Sequence, residues 1–118
     1  MQHRRILFFA EAVTLAHAAR PIVLANYLEG LGHELVMACD DRYKRFMADQ
    51  PWQTLPLRSI SSQQFLRCLA WGLPVYDLQT LRRYVAEDIN LIERVKPDLI
   101  VGDFRLSLSV SARLVGIP

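Results

Sequence analysis

Short apolar runs separated by longer mixed stretches dominate the hydrophobic pattern of this chain. Residues 4–10, 35–39 and 99–102 are nearly continuous apolar segments, and this lack of alternation is typical of parallel strands buried on both faces. Residues 53–57 are a fourth candidate, in which Pro56 indicates an edge strand because proline cannot donate to a ladder. The pattern therefore predicts four strands.

Helical periodicity fills the stretches between these strands. Pro21, whose fixed φ suits a first helical turn, predicts a helix over 21–31 after a loop over 11–20. The apolar positions of that helix recur at helical spacing before Gly32, and they are Val23, Leu24, Tyr27, Leu28 and Leu31. Further helices are predicted over 42–48, 63–71, 77–95 and 106–115. The stripe expected to face the core from 77–95 is Leu78, Leu81, Val85, Ile89, Ile92 and Val95.

Strands that alternate with helices predict one α/β domain with a Rossmann-like, doubly wound parallel sheet. The second and third strands are expected on one side of the first, and the fourth on the other, so that the connections diverge between the first and fourth strands. Residues 114–118 resemble a helix end followed by the opening of another strand. The 118 residues are therefore expected to be a truncated domain.

His17 and Asp103 are the first candidates for chemistry, because each follows the end of a predicted strand. Ligands of open α/β sheets bind outside the carboxyl ends of the strands, where connections leave to opposite faces. An imidazole and a carboxylate placed there suggest a general base and the group that orients it. An acidic residue after a strand also commonly caps the next helix, and Asp103 is compatible with both roles.

The composition of the chain argues against several classes of function. With 52% hydrophobic and 22% charged residues and a net charge of +2, the chain is typical of a globular domain, and its scattered arginines do not indicate nucleic-acid binding. No apolar run approaches the ~18 residues of a membrane span. Cys39 and Cys68 lie far apart without a metal-binding spacing, which favours reduced thiols and a cytoplasmic location. Glu11 interrupts the first apolar stretch and argues against a signal peptide.

An apolar stretch over 65–76 offers a second candidate region. Helical spacing assigns its aliphatic members chiefly to the core, whereas Trp71 and Tyr76, beside breaks in the helical pattern, are candidates for binding a substrate. Arg20 and Arg105 are interpreted as solvated side chains near the cleft. His33 is expected to contact the last carbonyls of the preceding helix. No GxGxxG follows the first strand, which makes a nicotinamide or flavin domain the weaker hypothesis.

Two segments carry a resemblance to a known family. Residues 28–36, Leu-Glu-Gly-Leu-Gly-His-Glu-Leu-Val, follow a strand and a proline-containing helix, and residues 96–103, Lys-Pro-Asp-Leu-Ile-Val-Gly-Asp, continue into 112–118. In this order they resemble the N-terminal domain of GT-B glycosyltransferases, closest to the UDP-glycosyltransferase-like family that includes macrolide glycosyltransferases. The resemblance places His17 on the family's catalytic histidine and Asp103 on the aspartate paired with it. The family's Gly-His-x-x-Pro loop is here Ala16-His17-Ala18-Ala19-Arg20-Pro21.

The resemblance implies an acceptor-side domain, with the nucleotide-sugar donor as co-substrate bound mainly by a second domain that these residues lack. It implies no cofactor or metal, and a small-molecule or lipid-like hydroxyl acceptor. The chain alone is expected to transfer no sugar and to expose a sheet edge that favours self-association. Two alternatives stay open: a non-catalytic, flavodoxin-like binding domain, and a sugar-nucleotide epimerase with the GT-B plan.

Overall fold

A computed structural model describes residues 2–118 and contains the four predicted strands. They form one parallel sheet in the order β3-β2-β1-β4, as the sequence predicts. Their bounds are Arg5–Ala10 (β1), Glu34–Cys39 (β2), Gln53–Pro56 (β3) and Leu99–Asp103 (β4). Pro56 lies at the end of β3, an edge strand, where its missing N–H leaves no ladder bond unmade.

Helices cover both faces of the sheet, which gives the α/β architecture that the sequence predicts. They are α1 (Leu15–Gly30), a 3₁₀ turn (Asp41–Tyr43) leading into α2 (Lys44–Met47), α3 (Ser62–Trp71), α4 (Leu78–Val95) and α5 (Leu108–Val115). Asp40 caps the 3₁₀ turn by accepting a bond from the backbone N–H of Arg42. Ser61 and Asp77 cap α3 and α4 in the same way.

Successive residues of each strand point to opposite faces and build two cores. Phe8 of β1 packs on the α1 side with Met37 of β2, whereas Phe9 packs on the other side against α4 and α5. All three side chains are at most 1% exposed. The unalternating strand sequences arise because both faces of the sheet are covered.

The start of α1 differs from the prediction. The helix begins at Leu15, so residues 15–20 are helical and Pro21 lies inside the helix. Ala18, Pro21 and Ala25 are its buried residues, and their small or compact side chains let the helix approach the sheet closely. Pro21 lacks the N–H that would otherwise donate to the His17 carbonyl. His17 is therefore a helical residue and not a loop residue.

The apolar stripes predicted for the two long helices are wrong in part. On α1, Val23 and Tyr27 are 71% and 66% exposed. On α4, Leu78 is exposed, and Ile92 is the one member of the predicted stripe that is buried; the other buried residues are Thr80, Tyr84, Asp88 and Leu91. The polar members of that face are buried because they bind charged partners, and hydrophobicity alone does not predict such a face.

The region around α3 also differs from the predicted core. Phe65 is buried, but the aliphatic side chains of Leu66, Leu69 and Leu73 are exposed. Cys39 is buried and Cys68 partly buried, and both are free thiols. No helix within residues 2–118 combines the length and the apolar character needed to cross a bilayer.

The outer edge of β4 is open over most of its length. The N–H of Ile100 donates to the carbonyl of Pro118 at 2.7 Å. Beside this contact lies an open groove of about 540 Å³, lined by residues that include Gly102, Phe104 and Leu108. The expected self-association through this edge stays a prediction.

Candidate functional site

The carboxyl ends of β1 and β4 meet where the sequence places the candidate site. Ala10 is the register partner of Asp103, and the N–H of Glu11 donates to the Asp103 carbonyl at 3.2 Å. His17 lies in the first turn of α1, and its ring stacks on Phe104, the residue after Asp103. The expectation that His17 and Asp103 share one edge of the sheet is confirmed.

Arg20 binds the carboxylate of Asp103. Its Nε and Nη2 donate to the two oxygens at 2.9 and 2.7 Å, an arrangement that matches the fork of the guanidinium to the carboxylate. This hydrogen bond and the charge of Asp103 raise the pKa of Arg20. His17 and Asp103 are not hydrogen-bonded to each other in the structure of residues 2–118. Asp103 is also not the cap of α5, which follows Ser107.

His17 is instead held by Thr14 and Phe104. The Thr14 Oγ1 lies 2.9 Å from His17 Nδ1. The Phe104 ring stacks on the imidazole with centroids 4.9 Å apart and planes inclined by 21°. His17 Nε2 has no hydrogen-bond partner among the described residues. The ring is thus anchored through one nitrogen while the other is available to a ligand.

The His17 imidazole belongs to an aromatic cluster. We define this cluster as His17, Phe65, Tyr76 and Phe104. Phe65 meets Phe104 edge-on at 5.7 Å, and Tyr76 lies 6.3 Å from Phe104. Tyr76, one of the two predicted substrate-binding residues, is therefore near the candidate base. The other, Trp71, is 76% exposed at the end of α3 and is not a member of the cluster.

A buried charge cluster lies next to the aromatic cluster, and we define it as Glu11, Asp88 and Arg105. All three side chains are completely buried. Arg105 donates to Glu11 at 3.2 Å and to Asp88 at 3.0 Å, and its guanidinium carbon lies 3.7 Å from the centre of the Tyr84 ring. The interpretation of Arg105 as a solvated side chain is wrong, because two buried carboxylates draw it inward.

Hydroxyl groups complete the hydrogen bonding of these carboxylates. Glu11 accepts from Ser59 at 2.5 Å, from Tyr84 at 2.7 Å and from Tyr76. Burial and the facing Glu11 carboxylate raise the pKa of both tyrosines. Asp88 accepts from two serines of the β4–α5 region, Ser107 at 2.5 Å and Ser111 at 2.9 Å. Because Tyr76 belongs to both clusters, the buried charges help to fix the aromatic wall beside His17.

Sequence reasoning missed most of these supporting residues. Glu11 offered a signal, since a carboxylate directly after a fully apolar strand needs a buried partner. Thr14 and Phe104 offered none, because their roles depend on the earlier start of α1 and on the turn after β4. His33 contacts the end of α1 through its backbone N–H, which donates to the Leu28 carbonyl at 3.3 Å, and its Nδ1 accepts a bond from the backbone N–H of Arg4 at 3.2 Å.

The sequence is similar to those of curated mycobacterial proteins. No protein-family model matches the chain. A PGL/p-HBAD biosynthesis rhamnosyltransferase of Mycobacterium bovis (strain BCG / Pasteur 1173P2) is 47% identical over 117 residues, covering 99% of this chain and 26% of the relative. An "Inactive PGL/p-HBAD biosynthesis glycosyltransferase" of the same strain is 44% identical and is covered to 32%. The chain thus spans about a quarter to a third of the length of these curated relatives.

Solved structures show the same architecture. The glycosyltransferase SsfS6 of Streptomyces sp. SF2575 matches with a TM-score of 0.71 at 23% identity, over 98% of this chain and 38% of that one. The spinosyn forosaminyltransferase SpnP matches with a TM-score of 0.68 at 23% identity, over 98% of this chain and 30% of that one. Residues 2–118 therefore have the Rossmann-like α/β fold found in GT-B glycosyltransferases, in a chain whose sequence is similar to mycobacterial glycosyltransferases along almost its whole length.

Proposed function

We propose that this chain is the acceptor-side domain of a glycosyltransferase that moves a sugar from a nucleotide sugar to a hydroxyl group. The observation that carries the proposal is the position of His17. Its ring stands at the carboxyl edge of the sheet with one nitrogen bound and one free, in a chain 47% identical to a named rhamnosyltransferase. The edge is where open α/β sheets bind their ligands.

In the proposed reaction, His17 Nε2 accepts the proton of the acceptor hydroxyl. The acceptor oxygen forms a bond to the anomeric carbon while the bond from that carbon to the phosphate oxygen breaks. The nucleotide leaves with the electron pair of the broken bond. Because Thr14 Oγ1 lies against Nδ1, Nε2 is the nitrogen proposed to take the proton, which requires Thr14 to accept the Nδ1–H.

We further propose that Asp103 assists His17 electrostatically. Its carboxylate lies at the same edge and favours the imidazolium that forms when the base is protonated. In the described conformation Arg20 binds both carboxylate oxygens, so a direct bond to His17 requires the Arg20 side chain to move. Arg20 is 62% exposed at its side chain, which leaves it room to do so.

The acceptor is proposed to lie against the aromatic cluster. Tyr76 presents its ring there, since its hydroxyl is already bound to Glu11. Trp71 is a more distant candidate that would contact the far end of a large or lipid-like acceptor. The donor half of the protein is proposed to lie outside these 118 residues, so that this chain alone transfers no sugar and requires no cofactor beyond the nucleotide sugar.

A second candidate function is a non-catalytic domain of the same fold. The relative named inactive is 44% identical over 117 residues, so this degree of similarity does not by itself imply turnover. The Arg20–Asp103 pair also favours this alternative, because it occupies the carboxylate proposed to assist His17.

Sugar transfer by the intact protein tests the proposal. Because the first relatives are named rhamnosyltransferases, nucleotide-activated rhamnose is the first donor to supply, with a panel of hydroxyl-bearing acceptors and mass spectrometry of the products. We expect transfer by the intact protein and none by the 118-residue chain. A folded, intact protein that transfers no sugar from any nucleotide donor would favour the non-catalytic alternative.

A further inference from the structure

Thr14 uses its hydroxyl in an unusual way for a residue at the start of a helix. It is the N-cap of α1, and the usual partner of such a side chain is the backbone N–H two or three residues later. Thr14 makes no such side-chain bond; its Oγ1 instead lies 2.9 Å from Nδ1 of the His17 ring. By contrast, Ser61 and Asp77 cap α3 and α4 with bonds to the backbone. The Thr14 hydroxyl therefore binds the His17 imidazole and leaves α1 without a side-chain cap.

Phe104 holds the same imidazole from its face. Its φ of 59° lies in the left-handed region, which is strained for a bulky residue. The residues on either side are held, Asp103 by its backbone as the last residue of β4 and Arg105 by its side chain within the buried charge cluster. The outcome of this turn is the parallel stack of Phe104 on His17. Phe65 supports the stack by meeting Phe104 edge-on.

We propose that Thr14 and Phe104 are positioning residues for His17, Thr14 setting its tautomer and Phe104 the plane of its ring. A neutral imidazole carries one N–H and one lone pair. A threonine hydroxyl can accept or donate, and in the proposed arrangement Thr14 Oγ1 accepts the Nδ1–H, so that the lone pair is on Nε2. Phe104 restricts rotation of the ring about its bond to the Cβ atom and so fixes the direction of that lone pair.

The catalytic meaning of this arrangement rests on the proposed function, whereas the arrangement itself does not. Nitrogen-15 NMR of the neutral histidine ring identifies its tautomer in the absence of any substrate. The experiment uses the intact protein labelled in histidine, with the His17 signals assigned by their loss in His17→Gln.

We expect the Nδ1–H form of His17 to predominate in the wild type. Thr14→Val, which keeps the shape and removes the hydroxyl, shifts the population toward the Nε2–H form, and Thr14→Ser retains the wild-type spectrum. Phe104→Leu keeps the tautomer but removes the contribution of the stacked Phe104 ring to the ring-current shift of the His17 carbon-bound protons, which Phe104→Tyr preserves. A wild-type ring in the Nε2–H form, or a tautomer ratio unchanged by Thr14→Val, overturns the assignment of Thr14.

Stability measurements separate positioning from a structural role. Because the Thr14 hydroxyl makes no cap bond, Thr14→Val leaves the midpoint of chemical unfolding nearly unchanged, whereas Ser61→Ala lowers it. A loss for Thr14→Val as large as that for Ser61→Ala would show that Thr14 acts as a cap, against the proposal.

Enzyme kinetics then test whether the positioning of His17 contributes to catalysis. Thr14→Val should lower kcat by up to about 10²-fold with little change in the acceptor KM, since misdirection of a reacting group has costs of this size. Thr14→Ser should restore kcat. If the NMR results hold and no sugar is transferred, the positioning stands and the proposed function fails. If His17→Ala abolishes transfer but Thr14→Val changes neither tautomer nor kcat, the proposed function stands and the positioning fails.

Discussion

Two arginines neutralise carboxylates at the same edge of the sheet in opposite ways. The side chains of Arg105 and of two of its partners, Glu11 and Asp88, are completely buried, and its third partner, Glu87, is 35% exposed. The Arg20 side chain is 62% exposed and that of its partner Asp103 is 17% exposed. Asp103 ends β4 and Glu11 directly follows β1, and Asp103 and Arg105 are two residues apart. The difference between them is therefore one of burial.

Burial decides which of the two regions can exchange partners. A buried charge without a partner costs several kcal/mol, so every oxygen of Glu11 and Asp88 is matched by a donor. An exposed pair is weak because water replaces either partner at little cost. The buried charge cluster therefore holds its elements together, while the Arg20–Asp103 pair at the edge is able to rearrange around a substrate.

The largest loss of stability is expected for Arg105→Met. The substitution keeps much of the side-chain length but leaves Glu11 and Asp88 buried without their cation. We expect the free energy of unfolding to fall by about 3–5 kcal/mol, the usual consequence of removing one partner of a buried pair. Chemical unfolding of the intact protein measures the change.

Arg20→Met is the matched control for this substitution. It removes the same guanidinium at an exposed site, and we expect only a slight change in the unfolding midpoint. Equal destabilisation by the two variants would contradict the division between a structural and an exchangeable arginine.

His17→Ala should have the opposite effect to Arg105→Met, with a large loss of activity and little loss of stability. As a general base typically contributes about 10²–10⁴-fold in rate, we expect a loss of kcat in this range with a modest change in acceptor affinity. Stability should change little, since the residue carries no buried charge pair. His3→Ala, at the opposite edge of the sheet, is the control that keeps wild-type turnover. Wild-type kcat in His17→Ala would refute the base assignment.

A smaller or equal loss of kcat is expected for Asp103→Asn. The amide keeps the shape of the side chain but no longer stabilises the imidazolium. The pH profile of kcat/KM is the informative measurement, because the carboxylate acts on the charged form of the base. If Asp103→Asn changed stability but neither kcat nor the pH profile, the carboxylate would serve only to bind Arg20.

The smallest effect expected concerns the buried thiol of Cys39. Burial, followed by the charge of Asp40, raises its pKa from 9.0 to about 11. Between these values the unfolded chain has lost the thiol proton and the folded chain has kept it, so stability falls as the pH rises from about 9 to about 11. Unfolding of the wild type and Cys39→Ala across this range should show a shallower fall in the variant. Parallel curves would indicate that Cys39 does not contribute.

The strands were predictable because their signal is local. Two covered faces require an unbroken apolar run, and β1, β2 and β4 lie within about one or two residues of their predicted bounds. The start of α1 was not predictable in this way, because Pro21 is a strong local signal and the burial of Ala18 and Ala25 that overrides it is a tertiary effect. The polar inner face of α4 escaped prediction for the same reason.

The sequence by itself determined the α/β class, the order of the strands and the placement of His17 and Asp103 at one edge, because apolar runs, helical periods and the handedness of crossovers are properties of the chain. The tertiary structure alone decided the partners of these residues. Arg20 reaches Asp103 across 83 positions and Arg105 reaches Glu11 across 94. Pairing over such distances depends on how the loops pack, since the energy of a charge follows its burial and its neighbours in space.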